Sequence, residues 1–375
     1  MDLPITKDLW QTLKSSNKPI VMYGMGNGAD KILDALAAYG IEVADFFASD
    51  GFVRGHSFHG KTVLSYTAIK EKYGCGNFTV LLSFASSLPD VMETIERIAS
   101  ESELYVPDVP VVLSGDDVAK ELFDLSYFQA HTSELDALDA LLKDDRSREL
   151  LRDVLSYRLT GELPYLLDRV DTRESVYTTL LHPASYRNTA DLGAYNGDTV
   201  RELLPYAPRL DRVFCMEPDP RNFRKLSEYG AQETRCRVIP LNFAAHDCRE
   251  TLTFESSGNR NATLAKGNPA CKQRRAVEAD SLTHLLSEID DAPKIDYVKF
   301  DVEGAERAAI DGCLPVIRRD RPELLVSLYH RREDLFALPL YLASVLDGYD
   351  FYLRRFRYIP AWDLNLYAIP KERSV

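Results

Sequence analysis

The sequence predicts an α/β fold made of two doubly wound domains, in which helices cover both faces of a parallel sheet. Two glycine-rich turns, at residues 24–29 and 193–197, each follow a predicted strand and precede a helix-like segment. Short apolar segments alternate with helical patterns around both turns, as repeated βαβ units require. The chain has 375 residues, 45% of them hydrophobic, which is enough to bury two separate cores.

The first predicted domain covers residues 1–115 and is small and Rossmann-like. Residues 19–23 predict a strand, the turn G-x-G-x-x-A follows it, and residues 30–39 predict a helix. Further strands are expected at 41–47, 78–84 and 110–113, with a helix at 88–98. Gly24, Gly26 and Asp50 lie where such a domain would hold a nucleotide sugar or NAD. A docking or dimerising scaffold explains the same turn, so a homodimer stays an alternative.

Residues 116–176 predict a helical connector between the two domains. Leucines recur there at roughly helical spacing, namely Leu122, Leu125, Leu135, Leu138, Leu141, Leu142, Leu150, Leu151 and Leu155. The second predicted domain then covers residues 177–375.

The second glycine-rich turn carries the stronger signal, because an acidic turn follows it at the distance of one βαβ crossover. It runs from Asp191 to Thr199, and Glu217 ends the next predicted strand, residues 212–216. Thr199 and Glu202 have the spacing of a capping box, which predicts that a helix begins at Thr199. The N–H groups of that helix would suit a carboxylate, such as the methionine end of S-adenosylmethionine. Glu217 would then accept hydrogen bonds from both ribose hydroxyls.

Further polar residues follow the later predicted strands. Residues 238–241 predict a strand that ends at Asn242, and residues 295–300 predict another that is followed by Asp301, Glu303 and Glu306. The apolar segment 323–329 ends at His330. Open α/β sheets bind ligands at the carboxyl ends of their strands, so these side chains are candidates for one site.

The segments DLGAYNGDT, MEPDP, LNFAAHD, KIDYVKFDVEGAERAAIDG and SLYHRREDLFALP together resemble the FkbM family of S-adenosylmethionine-dependent methyltransferases, over about Tyr177 to Tyr367. The resemblance implies a seven-stranded class I methyltransferase fold that transfers a methyl group to oxygen, often on sugars or natural products. It places the family's first cofactor motif on Asp191, Gly193, Ala194, Asn196, Gly197, Asp198 and Thr199, and its ribose-binding acid on Glu217. Asn242 stands where such folds place a polar residue near the adenine amino group, although an asparagine that holds a turn explains it equally well.

Methyl transfer to a hydroxyl needs an aligned acceptor and the removal of one proton. Asp301 is the first candidate for the base, because a strand-end carboxylate in a partly desolvated cleft is expected to have a raised pKa. His330 is the rival base, because imidazole needs less tuning. Asp301, Glu303 and Glu306, together with His330, would also suit Mg²⁺ or Mn²⁺. Acidic residues that stabilise a helix start explain the same carboxylates without a metal.

The net charge of −13 and the isoelectric point near 5.1 argue against a nucleic-acid substrate. Six cysteines show no C-x-x-C spacing, which indicates reduced thiols. The first 18 residues lack the apolar core of a signal peptide, and no apolar run is long enough to span a bilayer. We therefore expect a cytoplasmic enzyme whose partner is a small-molecule acceptor, such as a sugar or nucleotide sugar.

Three functions remain open from the sequence. An O-methyltransferase of carbohydrate biosynthesis is favoured by the second domain. A nucleotide-sugar or NAD-binding oxidoreductase or binding protein would use the first domain, and a non-catalytic scaffold would keep the cofactor fold without turnover. The polar segment 256–271 is long enough to contact an acceptor.

Overall fold

A computed structural model describes residues 3–53, 55–115, 117–256, 262–263, 274–289 and 292–374. Its contacts divide the chain into two compact units. Unit 1 consists of Met1–Asp136, Arg148–Val170 and Arg355–Asp363, and unit 2 consists of Ala137–Ser147, Asp171–Arg354 and Leu364–Val375. Each unit is therefore assembled from segments that are distant in the sequence.

The strands, in chain order, are β1 (Ile20–Tyr23), β2 (Asp45–Ala48), β3 (Ser57–Phe58), β4 (Lys61–Thr62), β5 (Leu64–Ser65), β6 (Thr79–Leu82), β7 (Glu103–Tyr105), β8 (Asn188–Leu192), β9 (Arg212–Met216), β10 (Arg237–Leu241), β11 (Ala244–Ala245), β12 (Glu250–Ser256), β13 (Ala262–Thr263), β14 (Arg274–Asp280), β15 (Tyr297–Phe300), β16 (Glu323–Ser327), β17 (Tyr349–Arg355) and β18 (Leu364–Pro370). The helices are α1 (Leu9–Ser15), α2 (Asn27–Ala38), α3 (Tyr66–Tyr73), α4 (Pro89–Glu101), α5 (Leu125–Ala130), α6 (Thr132–Leu141), α7 (Asp145–Thr160), α8 (Pro164–Leu167), α9 (Arg173–Thr179), α10 (Asp198–Leu203), α11 (Pro220–Gln232), α12 (Leu282–Ser287), α13 (Glu306–Asp320) and α14 (Asp334–Val345).

Unit 1 is built on a parallel five-stranded sheet of order β5-β2-β1-β6-β7. All four residues of β1, β2 and β6 are buried, because helices cover both faces of a doubly wound sheet. The strand order reverses between β1 and β6, so the glycine-rich turn after β1 lies at the topological switch point.

Unit 2 is built on a seven-stranded sheet of order β10-β9-β8-β15-β16-β18-β17. Its strands from β10 to β16 pair in parallel, and β18 pairs antiparallel with β16. The chain segment between β10 and β15 forms a smaller sheet of order β11-β14-β12-β13. The switch point lies between β8 and β15, which brings the loops after these two strands to the same edge. The predicted α/β class and the two doubly wound sheets are thus confirmed.

The connector differs from its prediction. Residues 116–136 and 148–170 belong to unit 1, whereas 137–147 and 171–176 belong to unit 2. The leucines at helical spacing are core residues, since Leu135, Leu138, Leu150 and Leu155 have no exposed surface. A periodic leucine pattern marks a buried helix face but does not specify which core that face joins.

One further segment differs from its prediction, and another lies mostly outside the described residues. No strand forms at 110–113, and the fifth strand of the first sheet is β7, which follows α4 directly and pairs with β6. Most of the polar segment 256–271 lies outside the described residues. Across the part of the chain that the structure describes, every helix is too short or too polar to cross a bilayer.

Candidate active site

The glycine-rich loop after β8 is held tightly against two neighbouring strands. The N–H groups of Gly193 and Ala194 both donate to the carbonyl oxygen of Met216, at 3.0 Å each. Gly193 has φ +87°, and a Cβ built on it would lie 1.9 Å from the carbonyl oxygen of Asp301. Only glycine tolerates that conformation and that contact, so the loop passes directly over the end of β15.

The rest of the loop begins helix α10 one residue earlier than the sequence predicts. Gly197, at φ +84°, is the N-cap, and the helix begins at Asp198, whose side chain accepts a hydrogen bond from the N–H of Thr199. The predicted capping box is therefore wrong. Glu202 accepts a hydrogen bond from the Tyr177 hydroxyl instead, at 2.8 Å. The left-handed glycine turns the chain into the helix before Thr199 is reached. Asn196 accepts a hydrogen bond from Arg201.

Glu217 joins the two predicted cofactor turns. Its carboxylate accepts the N–H of Tyr195 at 2.9 Å and the N–H of Asp219 at 2.8 Å, and only 6% of the residue is exposed. Burial raises its pKa to about 7, although both backbone donors act in the opposite direction. Asn242 donates from Nδ2 to the carbonyl oxygen of Glu217 at 2.8 Å, which is the turn-holding role. A contact of Asn242 with adenine stays a prediction.

A buried lysine links the glycine-rich loop to the later acidic segment. Lys299, on β15, places Nζ 3.4 Å from Asp191 Oδ1 and 3.3 Å from Asp301 Oδ2. Burial alone would lower the pKa of Lys299, but these two carboxylates outweigh it and the pKa is raised. Lys299 was not among the predicted site residues. A lysine within the otherwise apolar strand Tyr297–Phe300 was the available signal, because such a charge needs a partner.

Asp191 itself is 2% exposed and is the last residue but one of the buried strand β8. Burial raises its pKa to about 6, with Lys299 acting against that shift. Its Oδ2 is buried and has no hydrogen-bond partner within the described residues. A buried carboxylate oxygen without a partner can accept a hydrogen bond from a bound ligand.

The pKa of Asp301 differs from its prediction. Burial would raise the pKa of this carboxyl, but the charges of Lys299 and His330 lower it to about 2, and the Tyr329 hydroxyl donates to Oδ1 at 2.9 Å. The expected raised pKa is therefore wrong. The sequence could not show that two cations lie beside this carboxylate.

His330 is fully buried among three carboxylates. Its Nδ1 lies 2.9 Å from Glu306 Oε1, and its Nε2 lies 3.6 Å from Asp301 Oδ1 and 3.5 Å from Glu303 Oε2. Burial lowers the pKa of the imidazole, but the carboxylates, Glu306 first, raise it to about 10. The ring is thus protonated at neutral pH, which contradicts its predicted role as a base.

Three of the four predicted metal ligands lie together. Asp301, Glu306 and His330 offer ligand atoms within 4.8 Å of one another, and Glu303 Oε2 lies 3.5 Å from His330 Nε2. Glu306 is 1% exposed and accepts the N–H of Val302 at 3.0 Å. A protonated imidazole cannot bind a metal, and its charge already balances the carboxylates. A metal here stays a prediction.

Glu303 and Asp301 are about equally accessible, with 28% and 27% of their side chains exposed. The backbone of Glu303 has φ +54°, which is uncommon outside glycine. Burial raises its pKa to about 7, and the charge of His330 opposes that shift.

The glycine-rich turn of unit 1 is largely explained by packing. A Cβ on Gly24 would lie 2.6 Å from Phe84 Cδ1, whereas one on Gly26 would meet nothing within 4 Å. Asp50 accepts a hydrogen bond from the Thr67 hydroxyl at 2.9 Å. A nucleotide site at Gly24, Gly26 and Asp50 stays a prediction.

In unit 2, numbering the main-sheet strands in chain order gives 3-2-1-4-5-7-6, with a glycine-rich loop after the first and an acid after the second. These features define a class I methyltransferase fold. Residues 191–359 match the family model described as the methyltransferase FkbM domain, which confirms the resemblance found in the sequence over this segment.

Solved structures agree with the fold. Methyltransferase FkbM from Methylobacillus flagellatus KT has a TM-score of 0.67 and 19% identity, with 94% of this chain and 90% of that chain covered. Precorrin-6y C5,15-methyltransferase from Geobacter metallireducens GS-15 has a TM-score of 0.32, 10% identity and coverage of 53% and 87%. Aeropyrum pernix fibrillarin with bound S-adenosyl-L-methionine has a TM-score of 0.31, 16% identity and coverage of 49% and 66%. The last two TM-scores are too low to support the fold, so this agreement rests on the first structure. No curated protein matches the sequence.

Proposed function

We propose that this protein transfers the methyl group of S-adenosylmethionine to a hydroxyl oxygen of a small molecule, such as a sugar. The observation that carries the proposal is the Lys299 bridge, which joins Asp191 of the glycine-rich loop to Asp301 through contacts of 3.4 and 3.3 Å. The loop that would bind the cofactor and the carboxylate that would face the acceptor both contact this one buried cation. The cofactor and the acceptor would therefore bind close to each other.

The residues of the glycine-rich loop fit the cofactor. The orphaned Oδ2 of Asp191 would accept from the amino group of its methionine end, and Glu217 would accept from its ribose. Gly193, Ala194, Asn196, Gly197, Asp198 and Thr199 would form the surrounding backbone. When bound, S-adenosylmethionine supplies a methyl group on a positively charged sulfur.

Asp301 is proposed as the group that receives the acceptor's proton. An alcohol oxygen becomes strongly acidic as it gains a methyl group, so even a carboxylate of low pKa can take its proton late in the reaction. About 27% of the Asp301 side chain is exposed, which leaves it reachable by an acceptor. His330, as an imidazolium, would hold the Asp301 and Glu303 carboxylates in place and would act as a positioning residue.

The acceptor class rests on the resemblance to the FkbM family, whose members often modify sugars or natural products. The net charge of −13 supports a neutral or small acceptor over a polyanion.

Isothermal calorimetry with S-adenosylhomocysteine is the first test. We expect one site per chain, and no binding would remove the methyltransferase proposal. NAD and UDP-sugars are titrated in parallel, because tight binding of either in place of S-adenosylhomocysteine would move the function to unit 1.

The second test is an acceptor screen with trideuteromethyl S-adenosylmethionine, in which mass spectrometry detects a labelled methyl on oxygen. With the acceptor in hand, Asp301→Asn is expected to lower turnover by about 10²-fold or more while S-adenosylhomocysteine still binds. Asp311→Asn on α13 is the matched control, since Asp311 pairs with Arg307 at 3.1 Å on the same helix. A wild-type rate for Asp301→Asn would exclude Asp301 as the proton acceptor.

A further inference from the structure

A second group of ligating side chains lies outside the site described above, at the turn between β11 and β12. His246, Asp247, Cys248 and Glu250 offer one nitrogen, two oxygens and one sulfur, and these atoms all lie within 4.8 Å of one another. We propose that these four residues bind a divalent cation of the zinc class. The proposal is independent of the proposed methyl transfer.

Two of the three separations between donor atoms are those of neighbouring ligands of a tetrahedral ion, and the third is shorter. His246 Nδ1 lies 2.7 Å from Asp247 Oδ1 and 3.1 Å from Glu250 Oε1, and Cys248 Sγ lies 3.7 Å from Glu250 Oε1. Zinc ligands stand about 2.0–2.3 Å from the metal, which separates neighbouring donors by roughly 3–4 Å. The 2.7 Å separation of His246 and Asp247 would have to lengthen for both groups to bind one ion.

His246 Nδ1 provides a second observation. This atom is buried and makes no hydrogen bond of acceptable geometry within the described residues, although two carboxylate oxygens lie beside it. A cation bound between this nitrogen and the two carboxylates would be a ligand partner for all three groups.

The backbone that carries the ligands is fixed on both sides. The His246 N–H donates to the Asp280 carbonyl oxygen at 3.0 Å, and Glu250 pairs with Ala279 of β14. A Cβ on Gly312 of α13 would lie 2.1 Å from the His246 carbonyl oxygen, so the helix packs directly on this turn. Fixed ligands lose little freedom on binding, which favours affinity.

The nearby arginine is directed elsewhere. Arg249 Nε lies 3.9 Å from Asp280 Oδ2, its Nη1 lies 3.7 Å from Glu288, and its guanidinium stands 5.7 Å from the Phe243 ring centroid. Arg249 thus forms its ion pairs with other carboxylates, and His246 or a bound cation would balance the negative charge of Asp247 and Glu250. Borderline-soft zinc accepts nitrogen, sulfur and oxygen donors together, whereas Mg²⁺ and Ca²⁺ prefer oxygen alone.

Binding would form four metal–ligand bonds and break one S–H bond. The Cys248 thiol loses its proton to the solvent, and the metal keeps its +2 charge throughout, so no oxidant or reductant is required.

Cobalt titration of the full chain tests the proposal, because a thiolate bound to Co²⁺ gives a charge-transfer absorption band. We expect the band to saturate at one equivalent in the wild type and in Cys75→Ser, which removes another exposed cysteine, and to disappear on addition of zinc. Cys248→Ser is expected to lose the band. Binding of metal at Asp301, Glu306 and His330 would produce no such band, because that group contains no sulfur.

Glu250→Gln provides a second variant that leaves the sulfur in place. Removing one ligand is expected to weaken zinc binding at least about tenfold in competition calorimetry. Circular dichroism of each variant without metal verifies that it is folded. Absence of a band in the wild type, or an unchanged band in Cys248→Ser, would overturn the proposal.

Discussion

Buried charge distinguishes the residues of the candidate active site from the core around them. Lys299 and His330 are two cations enclosed by Asp191, Asp301 and Glu306, and each buried charge has an opposite charge within 4 Å. Removing one member leaves its partner uncompensated, which costs far more than the pair contributes. The network therefore fixes the positions of the groups that would meet cofactor and acceptor.

Glu217→Ala is expected to weaken binding of S-adenosylhomocysteine by about 1–3 kcal/mol, the range for lost hydrogen bonds to a charged group. The variant would also release the N–H groups of Tyr195 and Asp219 that the carboxylate now accepts. Calorimetry measures the change. Glu228→Ala on α11 is the control, because Glu228 forms only an exposed pair with Arg224. Equal affinity in both variants would remove Glu217 from the cofactor site.

His330→Gln is expected to lower the free energy of unfolding by about 3–5 kcal/mol near pH 6, because it leaves buried carboxylates without their cation. The pKa of His330 is raised from 6.5 to about 10 in the folded protein. Its contribution to stability is thus fully present below pH 6.5 and is lost as the pH rises through 10.

Urea unfolding of both proteins at pH 6 and pH 9.5 measures this difference. The gap between wild type and variant should be larger at pH 6. A gap that is constant with pH would mean that His330 is not charged in the folded state.

At the scale of elements, the loop after β8 depends on close approach between two chain segments. Gly193→Ala would place a Cβ against the Asp301 carbonyl oxygen at a positive φ. We expect a loss of roughly 2–5 kcal/mol in the free energy of unfolding, from overpacking and left-handed strain together.

Gly51→Ala is the matched control for this loop, because its Cβ meets nothing within 4 Å and its φ is not positive. Thermal melting of both variants compares the two sites. Equal melting temperatures would show that the chain at Gly193 can move away from β15.

The sequence predicted the elements themselves better than their ends. The strand that leads into the second glycine-rich turn and the strand before Glu217 are confirmed as β8 and β9, because each ends at a turn that contains glycine or proline. The start of α10 was misplaced, because a left-handed Gly197 overrode the local capping pattern. Strand β7 was missed because only three residues form it.

At the scale of the whole molecule, segments that are neighbours in the sequence belong to the cores of different units. Ile359 and Ala361 lie within the predicted second domain, residues 177–375, but belong to the core of unit 1, where they are 0% and 3% exposed. Arg354 of unit 2 pairs with Asp144 at 2.6 Å, a residue of the expected connector.

A fragment of residues 177–375 is therefore expected to unfold at a lower temperature than the full chain, or without a cooperative transition. It would expose apolar residues of unit 1 and lose the partner of Arg354. Differential scanning calorimetry of the fragment and of the full chain makes the comparison. A fragment that melts as sharply and as high as the full chain would mean that segment 355–363 contributes nothing to stability.

The sequence alone determined the α/β class, the two glycine-rich turns, the acids that follow the strands and the resemblance to a methyltransferase family, since all of these are written in local spacing. Only the tertiary structure decided that Lys299 stands between Asp191 and Asp301, that Glu306 faces His330, and that the connector is shared between two cores. It also reversed the expected ionisation, with the pKa of Asp301 lowered and that of His330 raised. The physical reason is that a pKa depends on which charges meet across neighbouring strands and how far they are buried, and neither quantity is encoded in local sequence.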